Sequence, residues 1–310
     1  VLLTDEDAQT EDYPIDAPYE RVTLPSGDES YRNFGPRAAA IQSAIRQYQI
    51  DVIVDHGWCD GSIAWDMLAA KLAGCDFCVH SHLSITMMKD TSIDFQKHFI
   101  QLPQVFAQSD GMLTLNSADD VFWQNSVSNV MPVNNPLWLR PKKQPSPKKR
   151  CRKVLWIARI SDEKRPLDAA RIMANIARKV TDAEFYIVGG GDDANLAEKL
   201  EKQIEDDGMR DRIRLVGFCG DVAPYYEQCD LMLMTSRVEG YSMTLRESAA
   251  FGMPTVMYDL PYLFLRETDA GVRRVRQRDT AAAADAIVEL MRNDLLFSSL
   301  SQCALWRAQE

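Results

Sequence analysis

The sequence has no long hydrophobic run, no disulfide framework and no recognisable signal peptide. None of its apolar stretches approaches the ~20 residues that a membrane-spanning helix needs. The seven cysteines are scattered, and their odd number does not suit a set of paired disulfides. These absences indicate a reducing, cytoplasmic setting, and they leave peripheral contact with the inner face of a membrane open.

An excess of positive charge is also missing. The chain has 35 Lys and Arg against 45 Asp and Glu, a formal net charge of −10. Binders of duplex nucleic acid neutralise phosphates with Lys and Arg, so nucleic acid is not an expected partner. The 310 residues are 46% hydrophobic and 26% charged, which is usual for globular proteins, and this length suggests two domains.

The chain does not begin with Met. It opens with "VLLTDEDAQ", already inside an apolar, strand-like run. We therefore expect a piece of a longer chain, with further sequence before residue 1.

Short apolar runs alternate with helical patterns in both halves. In the first half, "DVIVDHG" and "DFCVHSH" flank the helix-like "SIAWDMLAAKLAG". The second half repeats this rhythm from "VLWIARI" to "PTVMY". Such alternation predicts an α/β fold with two doubly wound, Rossmann-like domains, each with a parallel sheet. Ligands of these sheets bind beyond the carboxyl ends of the strands, so we expect a site in a cleft between the domains.

A basic segment with three prolines, Arg140 to Lys153, separates the two halves. Proline disfavours helix and strand interiors, and the segment therefore predicts a linker. We expect one domain at 1–146 and a second at 147–310, whose last helix could pack back on the first. A solvated linker is the simpler interpretation of the charge run, and contact with a membrane surface is the alternative.

A basic segment and a glycine-rich segment each follow a strand of the second half. In "ARISDEKRP", Arg159, Lys164 and Arg165 lie where a strand ends and a helix begins, a pattern that suits a diphosphate. Taken alone, the segment is more simply interpreted as a solvated, charged loop. In "VGGGDD", the third glycine of G-x-G-x-x-G is missing, which argues against a nicotinamide cofactor. Gly189 and Gly190 instead predict a sharp turn at which the backbone approaches a ligand.

The stretch "EGYSMTLRE" places two carboxylates around the start of a helix. Glu239 precedes the helix, whose first N–H groups form an anion site. Glu247 lies deeper in the helix, and its side chain points back toward that start. Carboxylates accept paired hydrogen bonds from vicinal hydroxyls. A ligand with hydroxyls at both ends and phosphates between them, a nucleotide sugar, fits this pattern.

The stretch from Val154 to Asp259 resembles the C-terminal half of the retaining GT-B glycosyltransferases of glycosyltransferase family 4. The resemblance is carried by "ARISDEKR", "FYIVGGGDD", the "GFCG" turn and the E-x7-E element. It implies that Glu239 and Glu247 contact the donor sugar and the ribose, and that Arg159 and Lys164 hold the diphosphate. It also implies amides facing phosphate at Gly240, Tyr241, Ser242 and Met243, a turn against the base at Gly217 and Phe218, and backbone contacts at Gly189 and Gly190.

The first half resembles the same family more weakly, through its histidines. His82 best matches a histidine near the transferring sugar, with His80 as its competitor, and His56 is a candidate for the acceptor side. Cys75, Cys78, His80 and His82 form C-x2-C-x-H-x-H, which offers zinc ligands. Neighbouring strand positions are difficult to bring into one tetrahedron, so we assign no metal and interpret the cysteines as reduced and buried.

Together these features predict a retaining, metal-independent glycosyltransferase without a tightly bound cofactor. It would move a sugar from a UDP- or GDP-sugar to a saccharide or lipid-linked acceptor hydroxyl, in polysaccharide or glycolipid synthesis. Two alternatives remain open: a nucleotide-sugar epimerase of the same architecture, and a non-catalytic nucleotide-sugar-binding module.

Overall fold

The computed structural model describes residues 1–7, 17–26, 33–57, 62–82, 102–191, 193–264 and 268–309. The chain divides into two compact units, Val1–Asn134 and Asn135–Glu310. This division falls before residue 146, the boundary expected from the sequence. The reason is that Leu137 and Leu139 pack, partly buried, against a hydrophobic core of the second unit.

The first unit contains a four-stranded parallel sheet and a separate parallel pair of strands. The pair is β1 (Leu2–Thr4) with β2 (Arg21–Thr23), and the sheet has the order β3-β4-β5-β6. Its strands are β3 (Val52–Asp55), β4 (Asp76–Ser81), β5 (Gly111–Thr114) and β6 (Val130–Pro132). The helices are α1 (Phe34–Tyr48), α2 (Ile63–Leu72) and α3 (Ser117–Trp123), and residues 102–106 are also helical.

Hydrophobic periodicity explains how α1 packs in the first unit. Ile41, Ala44 and Ile45 recur at helical spacing and are buried, and Phe77 from β4 belongs to the same core. Helix α3 was not predicted from the sequence. It begins because the Asn116 side-chain oxygen accepts hydrogen bonds from two backbone N–H groups of the first turn, a local cap rather than a pattern of apolar residues.

A buried arginine joins several segments of the first unit. The guanidinium of Arg37 on α1 makes a two-pronged contact with Asp66 on α2, at 2.8 Å from Nε and 2.7 Å from Nη2. Its Nη1 also donates to Asp5 at 2.7 Å and to the carbonyl of Pro25 at 2.8 Å. One side chain therefore links two helices to the chain segments after β1 and β2.

The second unit contains a six-stranded parallel sheet with the order β12-β11-β10-β7-β8-β9. Its strands are β7 (Lys153–Ile157), β8 (Glu184–Val188), β9 (Ile213–Gly217), β10 (Leu231–Met234), β11 (Thr255–Tyr258) and β12 (Val272–Val275). Its helices are α4 (Pro166–Ala177), α5 (Ala194–Asp206), α6 (Ala223–Gln228), α7 (Met243–Ala250), α8 (Thr280–Arg292) and α9 (Asp294–Arg307). This strand order is that of nucleotide-binding α/β folds, in which the direction of winding reverses between β7 and β10.

The α/β fold with parallel sheets is therefore confirmed, while two features near its edges differ from the prediction. Strand β12 was not predicted, because its sequence "VRRV" has charged residues at its centre and pairs through its backbone. The solvated-linker interpretation is wrong for the end of the basic segment. The backbone N–H of Lys148 donates to Ser301 on α9 at 2.8 Å, and Cys151 is buried.

Helix α9 packs on the second unit through polar contacts as well. Arg307 Nη2 donates to the carbonyl of Leu245 on α7 at 3.1 Å, and the Ser301 hydroxyl donates to the carbonyl of Gly252. Among the described residues, no helix has both the length and the apolar character that crossing a bilayer requires.

Candidate functional site

A cavity of about 230 Å³ lies at the carboxyl ends of β7 and β10 in the second unit. Strand order reverses between these two strands, and ligands of such sheets bind in the crevice at this point. Six residues singled out from the sequence line this single cavity: Arg159, Lys164, Glu239, Tyr241, Ser242 and Met243. The fold thus brings together the cations after β7, the first acid of E-x7-E and the start of α7.

The centre of the cavity holds an ion pair. Lys164 Nζ lies 2.7 Å from Glu239 Oε1, and the two side chains are 18% and 11% exposed. A lysine ammonium has three donors, so this contact leaves others for a ligand anion. The pair therefore presents a cation and a carboxylate side by side, suited to phosphate and to hydroxyls respectively.

A threonine positions the loop that carries Lys164. The Thr235 hydroxyl donates to the carbonyl of Lys164 at 2.7 Å and accepts from Trp156 Nε1 at 2.9 Å. Thr235 was missed by sequence reasoning. The available signal was a hydroxyl residue directly after the buried strand "LMLM", since residues at that point of a parallel sheet border the ligand crevice.

A tyrosine holds the backbone of Glu239 in the same way. The Tyr262 hydroxyl accepts from the N–H of Glu239 at 2.9 Å and donates to its carbonyl at 3.0 Å. The two residues are 23 positions apart in the chain. No local sequence pattern predicts this contact, because it depends on how the segment after β11 packs on the segment after β10.

The start of α7 supplies backbone donors to the cavity. Ser242 caps the helix, and its Oγ accepts from the N–H of Leu245 at 3.2 Å. The other N–H groups of the first turn have no partner within the helix, and the helix dipole gives this end partial positive charge. The arrangement can bind an anion next to Lys164.

Arg159 lines the cavity with a largely solvated side chain. It is 77% exposed, and its Nη2 lies 3.1 Å from Glu163 Oε1. Exposed ion pairs contribute little free energy, so this one does not bind Arg159 firmly in place. The guanidinium is therefore available to turn toward a ligand.

Glu247 does not line this cavity. It lies four residues after Met243, on the same face of α7, and its Oε2 accepts from the Tyr226 hydroxyl at 2.7 Å. Burial raises the pKa of the Glu247 carboxyl, and the hydrogen bond from Tyr226 opposes that rise. Tyr226 was missed from the sequence, although it fixes where this carboxylate points.

The predicted glycine contacts lie beside protein backbone instead of lining the cavity. Gly189 has φ +141°, and a Cβ there would lie 1.8 Å from the carbonyl oxygen of Ala158. Gly190 similarly lies against Phe218. Their sharp turn is therefore explained by close approach of the chain segments after β7, β8 and β9. A ligand contact at these glycines stays a prediction.

The "GFCG" turn presents an aromatic ring to solvent. Gly217 has φ +76°, a conformation that favours glycine, and the side chain of Phe218 is 85% exposed. An exposed phenyl ring at the end of a strand can stack on a planar ligand.

Three histidines gather in the first unit, where the sequence analysis singled out each of them separately. The ring nitrogens of His56, His80 and His82 that could bind a ligand lie within 4.8 Å of one another. Burial lowers the pKa of His56 and of His82, and burial with the neighbouring histidines lowers the pKa of His80 to about 4. These shifts favour the neutral form of all three rings. Among the described residues, Cys75 and Cys78 do not join this group.

The fold is that of the GT-B glycosyltransferases. The chain superposes on the Anabaena protein Alr3699/HepE, solved in complex with UDP and glucose, with a TM-score of 0.74 at 16% identity. The superposition covers 94% of this chain and 81% of that one. At this identity the similarity establishes architecture alone, and the ligands belong to that protein.

Residues 151–293 match the family model described as glycosyl transferases group 1. The chain is also 25% identical over 160 residues to a poly(glycerol-phosphate) alpha-glucosyltransferase of Bacillus subtilis, covering 51% of this chain and 23% of that protein. It is 24% identical over 192 residues to a poly(ribitol-phosphate) alpha-N-acetylglucosaminyltransferase of Staphylococcus aureus, covering 60% and 38%. The matched parts thus span well under half of either relative. The match to the family model lies within the second unit.

Proposed function

We propose that this protein is a retaining glycosyltransferase of family 4 type, which moves a sugar from a nucleoside-diphosphate sugar to an acceptor hydroxyl. The observation that carries the proposal is the cavity between β7 and β10, where Lys164, Glu239 and the start of α7 meet. The Anabaena structure contains UDP and glucose, which supports a UDP-sugar as donor. The two bacterial relatives act on polyol-phosphate polymers, which supports a surface glycan or a related polymer as acceptor.

The chain's own groups would stabilise the departing diphosphate. Lys164 Nζ, the N–H groups at the start of α7 and the exposed guanidinium of Arg159 would face the negative charge that grows on the leaving oxygen. Glu239 would accept hydrogen bonds from hydroxyls of the donor sugar, and its backbone is held for that role by Tyr262. Cations in these positions do the electrostatic work that a metal ion does in other transferases.

Retention of configuration follows if the acceptor attacks from the face that the diphosphate leaves. The leaving phosphate oxygen then takes the acceptor's proton, and no carboxylate pair of the glycosidase kind is required. The relatives' names specify alpha products, as retention from an alpha-linked donor would give. His82 is proposed to lie near the transferred sugar and His56 on the acceptor side.

The direct test is donor turnover with and without acceptor. We expect UDP to be released from UDP-glucose or UDP-N-acetylglucosamine when a polyol-phosphate acceptor is added, with an alpha linkage in the product by NMR. A GDP-sugar series serves as the comparison for donor choice. A new epimer without acceptor would instead identify an epimerase, and donor binding without turnover would identify a binding module.

Changing Glu247 should weaken UDP binding in a graded way. A carboxylate that accepts ribose hydroxyls contributes about 1.5–3 kcal/mol, so Glu247→Ala should raise the Kd for UDP by roughly 10- to 100-fold. Glu247→Gln should raise it less, because an amide oxygen still accepts a hydrogen bond. Calorimetric titration measures these Kd values, with Glu201→Ala on the exposed face of α5 as the control. Equal Kd values in all variants would remove the ribose role.

A further inference from the structure

We propose that His56, His80 and His82 form a binding site for a late first-row divalent cation, with Zn²⁺ as the best fit. The three rings lie in the first unit at the carboxyl ends of β3 and β4. All three histidines belong to the first unit, and zinc binding by them does not require the transferase function.

Strand register brings the three rings together. Asp55 of β3 pairs with Val79 of β4, so the next residues of the two parallel strands, His56 and His80, are neighbours. His82 is two positions beyond His80 and lies on the same face of the sheet. The backbone itself therefore places the three imidazoles on one surface.

The distances suit a common ion. His56 Nδ1 and His82 Nε2 are 2.8 Å apart, and the candidate ligand atoms of all three rings lie within 4.8 Å of one another. Two nitrogens on a tetrahedral zinc, each ~2.05 Å from the metal, lie ~3.3 Å apart. This value falls between the separations in the structure, so small ring rotations would bring all three nitrogens to one ion.

The chemistry of the ligand set points to the class of cation. Imidazole prefers Zn²⁺, Cu²⁺ and Ni²⁺, whereas Mg²⁺ and Ca²⁺ prefer oxygen. Three imidazoles and one open position form a coordination set used by zinc. His80 Nε2 is moreover buried, and it has no hydrogen-bond partner among the described residues. Buried polar atoms usually have a hydrogen-bond partner. A cation bound by the three histidines would change the polar surroundings of the His80 ring.

The site differs from the C-x2-C-x-H-x-H pattern of the sequence. Cys75 lies in the hydrophobic core of the first unit. Cys78 is two residues before His80, about 6.6 Å away along the strand at ~3.3 Å per residue. His56, which this sequence pattern does not include, comes from the end of the neighbouring strand. It supplies the third ligand in place of a cysteine.

Zinc titration of the full chain, without a histidine tag, tests the site. We expect one Zn²⁺ per chain by competition with a chromophoric chelator. His56→Gln, His80→Gln and His82→Gln should each raise the Kd for Zn²⁺ by about 100-fold or more, since even outer-shell partners are worth about 10- to 100-fold. Cys78→Ser is the matched control on the same strand and should leave the Kd unchanged. Co²⁺ should give visible bands of a nitrogen-ligated site, without thiolate charge-transfer absorption.

The unmodified protein provides a second readout that does not depend on the folding of variants. Zn²⁺ should shift the NMR ring resonances of three of the four histidines. Unchanged histidine resonances, a Kd for Zn²⁺ in the three histidine variants equal to that of the parent, or loss of binding in Cys78→Ser would each overturn the proposal.

Discussion

Replacing Lys164 by alanine is expected to lower the turnover number of sugar transfer by roughly a hundredfold or more. Removing one donor that stabilises developing charge typically costs about 2.7–4 kcal/mol of transition-state stabilisation. Lys164 Nζ is mostly buried and lies beside the start of α7, where the departing diphosphate is proposed to sit. Because its role concerns the leaving group, kcat should fall by more than the Kd for UDP rises. Steady-state kinetics and UDP titration measure the two quantities.

Lys164→Ala also has a second effect, which must be distinguished from the loss of the positive charge at the leaving group. Glu239 loses its ion-pair partner, and an unpaired carboxylate that is 11% exposed is unfavourable. Lys164→Arg keeps the charge and should retain more activity than Lys164→Ala, while Lys199→Ala, on the exposed surface of α5, is the control for loss of a positive charge. Near-native turnover in Lys164→Ala would end the assignment of Lys164 to the leaving group.

The residues that line the cavity could be predicted from sequence because each follows a local signal. Lys164 lies in the short loop between a buried strand and a helix with proline at its start, and Glu239 precedes a capped helix. In a parallel sheet the carboxyl ends of the strands lie at one edge, so residues that follow strand ends are candidates for the site.

The hydrogen bonds of the supporting residues could not be predicted, because these contacts join distant parts of the chain. Thr235, Tyr262 and Tyr226 each hold a site residue through a hydrogen bond to a different loop or helix. Which hydroxyl reaches which backbone group depends on tertiary packing. The same limit applies to the histidines: the spacing of His80 and His82 is visible in the sequence, but their meeting with His56 depends on the register of β3 and β4.

Replacing Arg37 by alanine is expected to lower the free energy of unfolding of the first unit by about 3–5 kcal/mol. Breaking a buried ion pair leaves the remaining charge without compensation, and this is the usual magnitude. Asp66 would be left on α2 with a side chain only 10% exposed. The contacts to Asp5 and Pro25 would disappear as well, so the segments after β1 and β2 should loosen together with α1.

Hydrogen exchange measured by mass spectrometry can follow the two units separately, since the unfolding of a two-unit chain need not be two-state. Faster exchange should appear in the first unit, most strongly in α1, α2 and the segments after β1 and β2, and should spare the sheet from β7 to β12. The double variant Arg37→Met/Asp66→Leu should recover much of the loss, because apolar side chains of similar volume often replace a buried pair at little cost. Equal protection in Arg37→Ala and the parent would show that the pair does not hold the first unit together. Greater recovery in the double variant than in Arg37→Met alone would locate the loss in the uncompensated charge of Asp66 rather than in the missing volume of Arg37.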